Sequence, residues 1–178
     1  MGYFYGVFIK ELSIPPQIKA LPVIPIEPNN MHITITYIGD RGPGQEVDRR
    51  VGASIGSIPC FKIRLGQLTL LPSDAKPRVL AIKIINDELL TRLRSIIISI
   101  LRDSGIPISD RFLGDFKPHI TIAYIKSKRM YPQDIIDSAR EIGIEKEILN
   151  KSIPINAVSL ILARENNYRE LSRHKLQC

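Results

Sequence analysis

His32-Ile33-Thr34-Ile35-Thr36-Tyr37-Ile38-Gly39 recurs 87 residues later as His119-Ile120-Thr121-Ile122-Ala123-Tyr124-Ile125-Lys126, with six of eight positions identical. The chain has only three histidines, and two of them head these copies with a threonine two places on. Both copies alternate with a period of two and are rich in β-branched residues, the pattern of a strand buried on one face. On that alternation the histidine, Thr34 or Thr121, and then Thr36 or Ala123 share one face, and the isoleucines share the other. Residues two apart on a strand stand about 6–7 Å from each other along it. Each copy therefore offers an imidazole and a hydroxyl side by side on the less apolar face of a sheet.

At 178 residues the chain is long enough for one well-cored domain or two small lobes sharing a core. Its 44% hydrophobic and 24% charged residues are ordinary for a globular protein, but 25 Lys and Arg against 18 Asp and Glu leave a net charge of +7. That balance favours an anionic partner such as RNA or a nucleotide. Cys60 and Cys178 are too few for a disulfide framework and form no CxxC pair, so a reducing interior is expected. No run of 18 apolar residues exists to span a bilayer, and the start lacks a signal-peptide pattern. A cytoplasmic protein with no membrane or protein partner is the expectation.

Outward from the repeats, residues 3–9 read as a strand and Ser13 as the cap of a short helical turn. Leu21 to Ile26, broken by two prolines, suits an edge strand or connector. Val47, Val51 and Ile55 give a helical stripe over 45–55. Strands follow at 61–71 and 78–85. A broad apolar stripe from Leu89 to Leu101 then predicts a helix over 87–103, with Asn86 as its cap. Residues 109–117 read as a polar loop, and 132–149 as one helix or two meeting near Gly143. Ile153 to Ala163 reads as the last strand, before a polar tail from Arg164 to Cys178. The chain is thus α+β, with strands, a helix and one repeat strand in each half. Duplication about a pseudo-twofold axis would set the two His-x-Thr pairs across one cleft.

Two facing imidazoles titrate near neutrality, so one can take a proton from an attacking oxygen while the other gives one to a leaving oxygen. Thr34 and Thr121 supply short donors for a non-bridging phosphate oxygen, in the manner of an oxyanion hole. A single strand histidine would be an ordinary packed or surface residue; the duplicated frame is what argues for function, because packing has no need of histidine. His174, in the tail, lacks such a frame and reads as structural. Zinc chemistry lacks its ligand spacing, a Ser-His-Asp site lacks GxSxG, and an ATP site lacks GxxxxGK[ST].

His32-Ile33-Thr34-Ile35 and Pro118-His119-Ile120-Thr121-Ile122-Ala123 resemble the paired HxTx signatures of the two-histidine (2H) phosphoesterase superfamily. The wider likeness is to its RNA 2′,3′-cyclic phosphodiesterases, also described as 2′-5′ RNA ligases; it takes in Glu27 to Met31, Pro77 to Leu80 and Val158 to Leu160. The resemblance implies residues 1–178 as one bilobal domain, with two antiparallel sheets facing a central cleft and helices outside. It also implies metal- and cofactor-free opening of a cyclic phosphate on RNA ends or cyclic nucleotides, reversible as 2′-5′ ligation. His119 is then expected as base and His32 as acid. Tyr37 stands where the family stacks an aromatic on a nucleobase. Tyr124 departs from the family pattern, which carries a phosphate-binding arginine there; Lys126, Lys128 and Arg129 are the nearby cations available to replace it. That departure makes a nucleotide- or RNA-binding module of weak turnover the competing expectation.

Overall fold

The computed structural model describes residues 1–73, 75–126, 131–165 and 167–178. The chain opens with β1 (Gly2–Phe8), passes a 3-10 turn at Pro16–Ala20 and β2 (Val23–Pro25), and enters the first repeat as β3 (His32–Gly39). Helix α1 (Gln45–Ile55), the hairpin of β4 (Phe61–Leu71) and β5 (Val79–Ile84), and α2 (Glu88–Asp103) lead to the second repeat, β6 (His119–Ile125). Then come α3 (Pro132–Glu141), α4 (Ile144–Ile148), β7 (Ser152–Ile155), β8 (Ala157–Arg164) and β9 (Asn167–Lys175). Gly143, at φ 84°, separates α3 from α4 in the left-handed region that a side chain would disfavour.

The strands lie in the order β7-β4-β5-β6-β3-β1-β8-β9, with β2 on β6. Outward from the middle, β3-β1-β8-β9 and β6-β5-β4-β7 are two antiparallel half-sheets of matching layout, each with a repeat strand innermost. The halves meet at one antiparallel pair, Ile33 opposite Ile120. Ile33, Ile35, Ile120 and Ile122 are fully buried. Helix α2 packs Leu90, Leu93, Ile97 and Leu101 behind β3, while α3 and α4 cover β4. Each such side chain contributes about 1.5–3 kcal/mol by leaving water, so the isoleucine face is fixed as the core face and the histidine face is left for the cleft.

Four expectations are corrected. The stretch 153–163 is two strands, divided at Asn156, which join opposite halves: β7 pairs with β4, and β8 with β1. Pro154 is tolerated because β7 is an edge. The polar tail is strand β9, paired with β8 along its length; as an edge with few buried positions it has no apolar alternation to read. Neither Asn86 nor Ser13 caps a helix. Asp87 precedes α2 and Pro15 precedes the 3-10 turn, whereas the Asn86 amide bonds the β4 backbone at Arg64 and Lys62. Finally, Cys60 and Cys178 form a disulfide across 118 residues, where free thiols were expected.

Candidate active site

Ile33 lies directly opposite Ile120, so His32 and Thr34 on β3 and His119 and Thr121 on β6 all project from the other face of the same seam. Antiparallel register sets His32 beside Thr121 and Thr34 beside His119. The alternation then breaks, in the same way, in both copies. Opposite β1, the register slips at Ile35; opposite β5, it slips at Ile122. Each is a one-residue bulge, and each turns the next two residues over. Thr36 and Ala123, expected on the histidine face, are therefore fully buried in the core, and Thr36 Oγ1 finds no hydrogen-bond partner among the described residues. Tyr37 and Tyr124 take their places on the cleft face, Tyr37 exposed and Tyr124 half-buried.

Each imidazole is tethered by the same bond. His32 Nδ1 donates to the carbonyl of Asn30 at 2.7 Å, and His119 Nδ1 donates to the carbonyl of Lys117 at 2.8 Å, two residues back in both repeats. A carbonyl only accepts, so Nδ1 carries the proton and Nε2 is left for the cleft. Burial lowers both imidazoles below their ordinary value of 6.5, the carbonyl bonds opposing it. His32 is lowered further by the proximity of His119.

The two sites differ in their surroundings. His32 sits in an aromatic box, its ring centroid 4.9 Å from that of Phe4, 4.6 Å from Tyr168 and 6.4 Å from Phe8. Gly6 makes this possible: a Cβ there would come within 2.8 Å of the Phe4 ring and 2.6 Å of the Ile33 carbonyl. Tyr168, on β9, also hydrogen-bonds Tyr124 across from the other half, and its burial raises its phenol well above the usual range. His119 instead lines an open cavity of about 540 Å³ with Thr34, Tyr37, Phe112, Phe116 and Lys117. Lys126 is exposed and not part of that wall; Lys128 and Arg129 lie outside the described residues. Among the described residues no three His, Cys, Asp or Glu side chains converge as metal ligands. His174, as expected, is structural: its Nε2 lies 2.8 Å from Asp48 Oδ1, joining β9 to α1.

Sequence reasoning missed Tyr168, which was hidden in a stretch without strand periodicity. It also missed the buried Arg94–Asp110 pair, whose residues are 16 apart and share no motif.

A duplicated half-sheet bearing matched His-x-Thr pairs at its seam defines a two-lobed α+β protein of the paired-histidine type. This chain belongs to the 2′-5′ RNA ligase superfamily, whose family model matches residues 25–166. It is 31% identical over 130 residues to an RNA 2′,3′-cyclic phosphodiesterase of Archaeoglobus fulgidus, covering 72% of this chain and 68% of that one. An RNA 2′,3′-cyclic phosphodiesterase of Aeropyrum pernix is 28% identical over 151 residues, 82% of this chain and 81% of that one. The fold is similar to the crystal structure of TT0787 of Thermus thermophilus, with TM-score 0.72 at 20% identity over 99% of this chain and 98% of that one.

Proposed function

We propose that residues 1–178 work as one bilobal domain that opens the terminal 2′,3′-cyclic phosphate of RNA or a nucleotide to a 2′-phosphate. The observation that carries this is the duplicated tether, which presents two Nε2 atoms on one face. His119, on the open cavity that water can enter, takes the proton of the attacking water. The new P–O bond forms as the bond from phosphorus to the 3′-oxygen breaks, and His32 gives that oxygen its proton. Thr34 and Thr121 hold non-bridging oxygens, Tyr37 stacks on the base, and Tyr124 offers a neutral hydroxyl toward the phosphate. Lys126 adds only to the general positive field, which at +7 favours an RNA end. With an RNA 5′-hydroxyl attacking phosphorus in place of water, the same steps, again breaking the bond to the 3′-oxygen, join ends as a 2′-5′ linkage.

In this reading neither a metal nor a cofactor takes part. Hydrolysis of a 2′,3′-cyclic nucleotide should persist in EDTA and should fall by ~10²–10⁴-fold in His32→Ala or His119→Ala. Loss of turnover in EDTA would overturn the metal-free mechanism, and full activity in either variant would remove that histidine from it. The bond between Tyr124 and Tyr168 favours a second reading, a binding module of weak turnover, because it occupies a hydroxyl that faces the cleft. A wild type that binds nucleotide tightly without hydrolysing it would establish that reading instead.

A further inference from the structure

Beside β6, the strand edge past the seam is covered by β2, with Ile24 opposite Tyr124 and the Ile26 amide donating to the Ile122 carbonyl at 2.8 Å. Among the described residues, no strand covers the matching edge of β3. There Arg94 of α2 donates to the Ile35 carbonyl, Asp110 Oδ2 accepts from the Tyr37 amide at 3.2 Å, and the Ser109 amide donates to Ile38 at 2.8 Å. Ile35 and Tyr37 are the repeat equivalents of Ile122 and Tyr124, so two side chains stand where β2 supplies backbone. Arg94 and Asp110 are 2.8 Å apart, each side chain 5% exposed. The pair reaches further. Arg94 Nη2 donates to the Phe112 carbonyl at 2.9 Å, Asp110 Oδ1 accepts from the Phe112 amide at 2.9 Å, and the guanidinium lies 4.6 Å above the Phe116 ring.

A buried ion pair is a poor way to gain stability but a good way to fix geometry, since its planar donors accept one arrangement. What it fixes is the 109–117 segment, one wall of the 540 Å³ cavity that holds Thr34 and His119. That wall presents Phe112, 48% exposed, in the cavity that also takes Tyr37, 37% exposed. Aromatic rings left in water beside a site for a phosphate suit a flat nucleobase.

We infer that Arg94 and Asp110 are positioning residues that hold the 109–117 wall against β3, and that Phe112 on this wall binds the nucleoside of the substrate. The inference rests on the reading of the cleft as a nucleotide site. Its test is calorimetric binding of a nucleoside 2′-monophosphate and of inorganic phosphate to wild type, Asp110→Ala, Asp110→Asn and Phe112→Ala. The nucleotide should bind wild type more tightly than phosphate does. Asp110→Ala and Phe112→Ala should each weaken the nucleotide by about tenfold, the range of one base stacked on an aromatic, and leave phosphate within about twofold. Asp110→Asn keeps an oxygen for the Phe112 amide and should restore part of the loss. Phe112 is exposed, so its variant decides the matter even where Asp110→Ala fails to fold. Unchanged nucleotide affinity in Phe112→Ala, or parallel loss of both ligands, overturns the inference. A wild type that shows the expected binding pattern without hydrolysis would sink the proposed reaction and leave this wall standing; one that binds neither ligand sinks both.

Discussion

The Nδ1–H bond to the carbonyl two residues back leaves Nε2 of each imidazole for the proposed chemistry, and burial lowers the pKa of both rings. Both rings are held below 6.5, by desolvation first and, for His32, by the other histidine as well. A mechanism with one neutral and one charged imidazole then has its free-enzyme optimum between two lowered pKa values. The kcat/KM profile should therefore be bell-shaped with its maximum below pH 6.5 and should decline through neutrality. A bound phosphodiester anion favours the charged form of whichever ring faces it, so the kcat profile should sit to the alkaline side of the kcat/KM profile. Tyr168→Ala opens the box to water and should raise the His32 midpoint towards 6.5, read directly as the ring proton shift in an NMR titration, with His119 moving less. An unchanged His32 midpoint would mean that the box does not set its charge. The histidines and threonines were legible because a repeat announces them. Tyr168 was not, since its contact with His32 is made across the two intervening strands, β8 and β1, and leaves no local pattern.

Among the elements, β9 shows how a strand can hold the site without looking like one. Its half-buried residues Tyr168, Ser172 and His174 are polar or amphipathic, and its edge position leaves the rest in water. His174 and Tyr5 both bond Asp48 Oδ1 at 2.8 Å, so β9 and β1 are pinned to α1 through one carboxylate. Burial pushes that carboxyl up, but the bonds from His174, Ser172 and Tyr5 outweigh it and leave it below its ordinary value. A depressed carboxylate contributes stability above the unfolded pKa, near 3.8, and loses it as pH falls through the folded value. Wild type should accordingly lose stability more steeply than Asp48→Asn below about pH 4 in urea titrations; parallel curves would show that this carboxylate is not the titrating link. The bulges teach the same lesson at β3 and β6. Period-two reading put Thr36 and Ala123 on the wrong face because one inserted residue, invisible to composition, turns over the positions that follow it.

Across the whole molecule, the two halves share little backbone: Ile33 with Ile120 at the seam, and the reach of β2 onto β6. The chain itself adds a second join outside the cleft. Cys60 leads into β4 of one half and Cys178 ends the tail beyond β9 of the other, and their bond closes a span of 118 residues. Around it the Cys60 amide donates to Gln177 at 2.9 Å and the Gln177 amide to Ile58 at 2.8 Å. Two cysteines so far apart could not be paired from sequence, because only the unread strand β9 carries the second one to the first. Cross-linking so long a loop removes conformations from the unfolded chain, so its loss should cost ~2–4 kcal/mol. For a domain of this size that is a fall in Tm of roughly 5–15 °C, seen in melts with reductant or with Cys60→Ser and Cys178→Ser together. Tyr168, opposite Ala163, lies at the far end of β9 from the bond. Turnover well below Tm should therefore survive reduction, and so should the His32 midpoint. Two free thiols titrating in the native protein, or an unchanged Tm in the double-serine variant, would dismiss the bond as a link between the halves. Activity lost while the fold melts normally would instead mean that β9 transmits its anchoring along its whole length to the aromatic box.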